Sequence, residues 1–155
     1  MIYLVLPRGK NFGWGVCGKY LAREISDITD VKYITESFGV EDIGDEYEFH
    51  FLKSKLLGNA EAKVISSDAN RRVEGPILQA IGNQTLMPWG AEINGTFKAG
   101  YTFFEENILQ QEYIQNGKDN FDVVITVSKW CEEVLSDHGL DNVTTVIQGV
   151  DQQIF

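Results

Sequence analysis

Residues 122–139 read DVVITVSKWCEEVLSDHG, and they give the clearest indication of the architecture. Asp122–Val127 is a short apolar run, as expected for a buried strand. Ser128 suits the N-cap of a following helix, and Gly139 suits the residue just past its end. The helical spacing places several side chains on one side of that helix: Trp130, Cys131, Val134, Leu135 and His138. The stretch therefore predicts a strand that leads directly into an amphipathic helix, with His138 in a structural role near the helix end.

The same alternation continues on both sides of this stretch. Residues 1–6 and 31–35 read as strands, and the glycine-rich segment 13–18 between them leads into a helix. Residues 142–147 form the next strand after Gly139, and further short β-like runs occur at 63–66, 77–81 and 97–104. Strands that alternate with helices predict an α/β fold with a doubly wound, Rossmann-like, mostly parallel sheet. We expect at least five parallel strands, with residues 2–6, 31–35, 122–127 and 143–147 all in one sheet.

The segment 41–52 is predicted to hold an acidic loop and then a strand. Five acidic residues fall within residues 41–48. In residues 47–52 aromatic side chains alternate with Glu and His, which is the period of a half-exposed strand. That period puts His50 on the solvent-facing side, so we do not expect it to be catalytic.

Composition restricts the function classes. The chain has 155 residues, with 13 Lys and Arg against 23 Asp and Glu and a net charge of −10. This sign opposes binding to nucleic acid, so we expect no nucleic-acid partner. Cys17 and Cys131 form no CxxC motif and, with two histidines, make no recognised zinc pattern, so we expect reduced, buried thiols and no metal. The first apolar run, residues 2–6, is too short for a signal peptide or a membrane span.

The glycine-rich loop satisfies part of the dinucleotide-binding fingerprint. Gly13-x-Gly15-x-x-Gly18 has the required spacing, and Glu36 stands near the end of the second strand, where a ribose-binding acid is expected. In that motif, however, the first glycine follows the strand directly, whereas six residues, 7–12, intervene here.

The same loop matches most of a P-loop, because Gly13-x-x-x-x-Gly18-Lys19 has its spacing. The next residue is Tyr20 instead of the Ser or Thr of a P-loop, so the Ser/Thr hydroxyl that binds Mg²⁺ is missing. Two readings of the glycines stay open: a helix start that binds an anion, or a turn that needs glycine for its backbone conformation.

Polar residues stand where a parallel sheet places its ligands, beyond the carboxyl ends of the strands. Candidates should therefore follow Leu6, Ile81, Phe104, Val127 and Ile147. The polar residues at such positions are Asn83, Gln84, Glu105 and Ser128. Glu105 alternatively serves as the acid that stabilises the start of a helix around 108–114.

Four segments, 101–105 (YTFFE), 122–130 (DVVITVSKW), Gly139 and 146–155 (VIQGVDQQIF), together resemble one enzyme family. The chain is similar over residues 100–155 to the acceptor-side half of group 1 (family 4) glycosyltransferases, which are retaining, nucleotide-sugar-dependent enzymes of the two-domain GT-B fold. Gly13-Trp14-Gly15 occupies the place of that family's glycine-rich loop, with Trp14 between the usually adjacent glycines. Residues 36–96 show no motif that aligns.

The resemblance implies a single Rossmann-like N-terminal domain over residues 1–155, with the C-terminal nucleotide-sugar-binding domain absent. Gly149 and Asp151 would lie where the chain crosses to that domain. Gly13, Trp14 and Gly15 would approach the donor diphosphate. The residues implied to orient the acceptor are Asn83, Gln84, Glu105 and Ser128. No position is implied for a catalytic base.

The resemblance also implies the partners and the location. The donor substrate would be a nucleoside diphosphate sugar and the acceptor a carbohydrate or a lipid, with no cofactor and no metal. We expect the isolated 155 residues to be inactive, because the donor-binding half is missing. We also expect the exposed sheet face and the apolar residues within 150–155 to promote self-association. A cytoplasmic protein is implied, with a peripheral position at the membrane as the alternative.

Two other functions remain open from the sequence. The first is a non-catalytic nucleotide- or dinucleotide-binding module, which the spacing of Gly13, Gly15 and Gly18 with Glu36 favours. The second is a degenerate domain that only binds a partner protein.

Overall fold

The computed structural model describes residues 1–90 and 92–149. Asp151, and with it the segment 150–155 that was expected to promote self-association, lies outside the described residues. The strands of the described part are β1 (Ile2–Val5), β2 (Val31–Tyr33), β3 (Pro76–Ala80), β4 (Phe97–Thr102), β5 (Val123–Thr126) and β6 (Val143–Thr145). Its helices are α1 (Gly13–Ser26), α2 (Val40–Ile43), α3 (Glu46–Lys55), α4 (Asn59–Ser67), α5 (Gln111–Asn120) and α6 (Lys129–Asp137).

The strands form one six-stranded parallel sheet in the order β2-β1-β3-β4-β5-β6. Ile2 pairs with Val31 between β1 and β2, and Val124 pairs with Val143 between β5 and β6. The predicted doubly wound, Rossmann-like α/β fold is confirmed, and the four strands named from the sequence all belong to this sheet. The strand order changes direction at β1, which has β2 on one side and β3 on the other.

The predicted strand at 47–52 is wrong, because these residues belong to α3. Asp45 caps this helix by accepting a hydrogen bond from the Glu48 backbone N–H at 2.8 Å. Acidic residues occupy the first turn and Lys53 and Lys55 the last, which suits the helix dipole at both ends. Local capping and charge therefore outweigh a short alternation of aromatic residues. His50 is exposed, as predicted.

The predicted strand at 63–66 is also wrong, because these residues lie in α4. The Glu61 carboxylate accepts a hydrogen bond from the Gly58 backbone N–H at 3.3 Å, which stabilises the start of that helix. Glu61, three residues after the N-cap, indicates a helix here, but the apolar pair Val64 and Ile65 suggested a strand.

The chain divides into two compact units, of which the first comprises residues 1–80 and 88–98. Its core joins side chains from the strands and the connecting segments: Tyr3, Val5, Val73, Ile77 and Ile93. Helix α1 packs closely against the segment that follows β1. A Cβ atom on Gly18 would overlap the Pro7 carbonyl oxygen, and one on Gly15 would lie 2.7 Å from the Gly9 carbonyl oxygen. Because these two glycines have no side chain, the segment Pro7–Gly9 can lie directly against the helix.

The second unit comprises residues 81–87 and the chain from residue 99 onward. Its core includes Ile81, Leu86, Phe104, Ile114, Phe121, Val124, Leu135 and Leu140. The predicted caps of α6 are confirmed. Ser128 accepts a hydrogen bond from the Cys131 backbone N–H at 3.2 Å, and Gly139 follows the helix with φ +94°. Both cysteines are buried and free, as predicted.

The imidazole ring of His138 makes two hydrogen bonds to described residues at the end of α6. The Leu109 backbone N–H donates to the ring Nε2 atom at 3.3 Å, and the ring Nδ1 atom lies 2.7 Å from the Val134 carbonyl oxygen. Because Leu109 can only donate here, Nδ1 carries the proton and donates to Val134. The ring therefore ties α6 to the segment before α5.

Replacing His138 with phenylalanine is expected to lower the free energy of unfolding by about 1–2 kcal/mol, since the Leu109 N–H loses its acceptor while the ring volume is retained. The Val134 carbonyl loses the ring but still accepts from the His138 backbone N–H. His50→Phe is the matched control, because His50 is exposed on α3, and a change below about 0.5 kcal/mol is expected there. Urea unfolding of both variants measures the difference. Equal stabilities would contradict a structural role for His138.

Candidate ligand-binding cavity

A cavity of about 500 Å³ opens in the first unit at the carboxyl ends of β1 and β2. Its lining comes from the residues after β1, the residues after β2, the N-cap of α1 and the segment after β3: Val5, Leu6, Pro7, Arg8, Phe12, Ile34, Thr35, Glu36, Trp89 and Gly90. This is the point where the strand order reverses, and open parallel sheets bind their ligands there. The volume lies within the range of small-molecule sites.

Arg8 provides the positive charge of this cavity. Its Nη2 atom donates to the Ser37 carbonyl oxygen at 2.6 Å, and its guanidinium carbon lies 5.5 Å from the centre of the Phe38 ring. Its Nε atom is buried and has no hydrogen-bond partner among the described residues. No ion pair joins Arg8 to a carboxylate within residues 1–90 and 92–149. The guanidinium is therefore held in place by Ser37 and Phe38, and its charge has no ion-pair partner among the described residues.

Tyr33 supports the backbone from which Arg8 extends. Its side chain is fully buried, and its hydroxyl donates to the Pro7 carbonyl oxygen at 2.8 Å. Burial raises the pKa of Tyr33 well above its ordinary value of 10.0, and the nearby positive charge of Arg8 opposes part of that rise. A neutral phenol thus anchors the segment Pro7–Arg8 at the cavity wall.

Aromatic rings form a second part of the wall. Phe12 and Trp89 pack edge to face with ring centres 6.4 Å apart, yet each keeps nearly half of its surface exposed. Trp14 packs against the same Trp89 indole, with ring centres 6.4 Å apart. The Trp89 backbone is held at both polar groups, because its N–H donates to the Ala80 carbonyl and its carbonyl accepts from the Gln79 amide. These two hydrogen bonds fix the backbone from which the half-exposed Trp89 ring extends.

Glu36 is the carboxylate of the cavity lining and is exposed to solvent. It follows β2, as the sequence predicts, and its role toward a ribose stays a prediction. The cavity thus combines one cation, one carboxylate, two aromatic rings and an apolar floor. Such an arrangement suits a ligand with an apolar ring face and polar groups at its edge.

The glycine-rich loop forms the start of α1 beside this cavity. Gly13 is exposed, and no heavy atom would lie within 4 Å of a Cβ built there, apart from its own helix and neighbours. Phe12 caps the helix without a side-chain hydrogen bond, and no acid stands in the first turn. Gly13, Trp14 and Gly15 do not line the cavity, and Gly15 is buried against the backbone of Arg8 and Gly9. Close packing within the chain therefore accounts for the glycine at position 15.

The remaining predicted residues lie in the second unit. Asn83 and Gln84 are exposed in the turn after β3, and Glu105 is exposed beyond the end of β4. Ser128 caps α6, and Gly149 is exposed after β6. None of these five residues lines the cavity of the first unit.

The sequence interpretation missed Arg8, Phe12 and Trp89 as cavity residues. A signal was present for Arg8, because it stands two residues after the first strand, in the place where parallel sheets bind ligands. The prediction instead assigned ligand binding to the glycines at positions 13 and 15. No sequence signal marks Trp89, since only the path of the chain after β3 brings it to the cavity.

Comparisons of the chain with models of protein families, with characterised proteins and with solved structures find no match. Within residues 1–90 and 92–149, no group of three His, Cys, Asp or Glu side chains lies close enough to hold a metal ion. In the same residues, no helix has the length and apolar character needed to cross a membrane.

Proposed function

We propose that this chain is the acceptor-binding domain of a retaining glycosyltransferase, which transfers a sugar from a nucleoside diphosphate to an acceptor hydroxyl. The similarity of residues 100–155 to that family first suggests it. The observation that carries the proposal is the cavity at the strand-order reversal, lined by aromatic rings and by one residue of each charge. Carbohydrates present both an apolar ring face and a polar edge, and this lining offers partners for both.

The start of α1 supports a role in holding the donor diphosphate. The positive end of its dipole is met neither by an acid in the first turn nor by a side-chain cap. The open space around Gly13 leaves room for a phosphate to approach. Negative charge that develops on the departing diphosphate would be stabilised at such a position. The nucleotide itself would be bound by the second domain that the resemblance implies.

A second function, a non-catalytic nucleotide- or dinucleotide-binding module, is favoured by one observation. Glu36 lines the cavity just after β2, where a carboxylate can accept hydrogen bonds from ribose hydroxyls. Against it stands the separation between β1 and Gly13, which the structure fills with the segment 6–12.

A fluorescence titration distinguishes the two functions. In a Trp130→Phe variant the remaining indoles are Trp14 and Trp89, which contact each other beside the cavity. We expect methyl α-glucoside or glucose 6-phosphate to change this emission at millimolar concentrations, and NAD and NADP to leave it unchanged. We also expect no sugar transfer from UDP-glucose by residues 1–155 alone, because the donor would be bound by the other domain.

The Trp89→Leu variant serves as the control, since it removes the ring that the ligand would contact. Saturable binding of NAD with no response to either sugar would overturn the glycosyltransferase proposal in favour of the dinucleotide module. Sugar transfer by these residues alone would contradict the proposal that a second domain binds the donor nucleotide.

A further inference from the structure

We propose that the cavity of the first unit selects a hexose-sized ring that carries an anionic substituent, a phosphate or a carboxylate, and that Arg8 binds this substituent. The inference rests on the proposed function, because it names the class of acceptor that the same cavity takes. Three features of the lining carry it: an unneutralised guanidinium, a rigid aromatic platform and a separate carboxylate.

The guanidinium of Arg8 has the properties of an anion site. One of its nitrogens is committed to the Ser37 carbonyl, and the Phe38 ring lies against it, so its position is fixed by two neighbours. No carboxylate forms an ion pair with the group within the described residues, so its positive charge is not neutralised by a direct partner. Guanidinium groups bind phosphate and carboxylate through paired N–H donors. A guanidinium that is held in place at a cavity wall and forms no ion pair among the described residues therefore favours an anionic ligand group.

The other basic residues of α1 and of the following segment are engaged differently. Lys19 forms an ion pair with Glu48 at 2.5 Å, and Arg23 pairs with Glu24 at 3.1 Å. Lys32 pairs with Glu61 at 3.0 Å. Arg8 differs from these three because it lines the cavity and forms no ion pair among the described residues.

Trp89 and Phe12 supply the surface for a ring. Both are about half exposed and both line the cavity. The Trp89 backbone is held by hydrogen bonds at its N–H and carbonyl, and its ring packs against Phe12 and Trp14, so less freedom is lost when a ligand binds. The apolar floor of Val5, Leu6 and Ile34 lies in the same cavity. A pyranose ring with one apolar face fits such a wall.

Glu36 completes the selection. It forms no ion pair with Arg8 in the part of the chain that the structure describes, so the two opposite charges are both available at the cavity. A carboxylate accepts hydrogen bonds and repels a second anion. A ligand that places its anion at Arg8 and its hydroxyl groups at Glu36 satisfies both charges, whereas a ligand that is anionic at both ends does not. We therefore expect a single anionic substituent.

The test compares three probes in the Trp130→Phe background by tryptophan fluorescence: glucose 6-phosphate, glucuronate and methyl α-glucoside. We expect the two anionic sugars to bind at least about tenfold more tightly than the neutral glycoside. Arg8→Met should weaken the anionic sugars at least about tenfold and should change methyl α-glucoside by less than about twofold. Glu36→Gln should weaken all three modestly, without reversing their order.

Arg23→Met is the matched control. It removes the same charge from the same unit, on α1 and away from the cavity lining, and should leave all three affinities within about twofold. Arg8→Lys, which keeps the charge without the paired donors, should give an intermediate loss for the anionic sugars. Melting curves of each variant confirm that it is folded at the titration temperature.

Equal affinities for glucose 6-phosphate and methyl α-glucoside, or equal losses in Arg8→Met and Arg23→Met, would overturn the inference while leaving a carbohydrate-binding domain in place. Inorganic phosphate that competes as well as glucose 6-phosphate would overturn the requirement for a ring. No response to any sugar would overturn the inference together with the proposed function, and NAD binding would then identify the other module.

Discussion

Gly18→Ala is expected to destabilise the first unit by about 3 kcal/mol or more, because the added methyl group meets the backbone of a neighbouring segment. Gly18 lies in α1, and its added Cβ would overlap the Pro7 carbonyl oxygen and lie 3.2 Å from the Leu6 side chain. The helix can accept the methyl group only by moving away from the segment after β1. Such overpacking against backbone costs about 1–3 kcal/mol and sometimes more. Urea unfolding followed by circular dichroism measures the loss.

Gly13→Ala is the matched control in the same helix. Nothing would lie within 4 Å of its Cβ apart from its own helix and neighbours, and alanine favours the helix over glycine by up to about 1 kcal/mol. We expect its stability to equal or exceed that of the unmodified chain. Gly15→Ala should fall between the two, because its Cβ would lie 2.7–2.8 Å from the backbone of Arg8 and Gly9. Equal stability of the three variants would refute the close packing of α1.

Raising the pH above 10 is expected to destabilise the protein through Tyr33. Burial holds the pKa of Tyr33 above the ordinary value of 10.0 in the folded chain, whereas the unfolded chain titrates near that value. Above pH 10 the unfolded state therefore binds fewer protons than the folded state, and stability falls with rising pH. The loss from this one group approaches about 1.4 kcal/mol for each pH unit until the folded pKa is reached. Below pH 10 its contribution is fully present.

Tyr33→Phe isolates this contribution. The variant lacks the titrating hydroxyl, so its stability should fall less steeply between pH 10 and 12 than that of the unmodified chain. At neutral pH it should be about 1–2 kcal/mol less stable, because the Pro7 carbonyl loses its donor. Unfolding curves at several pH values give both quantities. Parallel losses in the two proteins above pH 10 would mean that Tyr33 does not titrate differently on folding.

The order of strands and helices was predictable because its signals are local. Buried parallel strands are short apolar runs, and α6 has both a serine cap and a terminal glycine, so the segment 122–147 could be interpreted from adjacent residues alone. The errors at 47–52 and 63–66 arose where two local signals compete. In α3 the alternation of aromatic residues suggested a strand, but the Asp45 cap and the charged ends determine the outcome.

The cavity was less predictable because its lining joins residues that are distant in sequence. Position relative to a strand indicated the region after Leu6 and the acid at Glu36, and both are present in the cavity. The role of Trp89 depends on the buried Gln79 amide and on the turn after β3, neither of which has a sequence signature. Gly15 was predicted to bind phosphate because of its motif. The structure instead explains this glycine by its close packing against the backbone of Arg8 and Gly9.

The edges of the sheet have a consequence for aggregation. The outer strands β2 and β6 have only three residues each, so each offers a second molecule a very short ladder of backbone groups. At β2 the Tyr33 carbonyl already accepts from the Leu57 N–H at 3.0 Å. Short, partly satisfied edges protect a sheet against the edge-to-edge growth that leads to fibrils. The apolar central strands would promote aggregation if they were exposed at an edge. The short strands β2 and β6 cover them and offer few backbone groups for pairing with another chain.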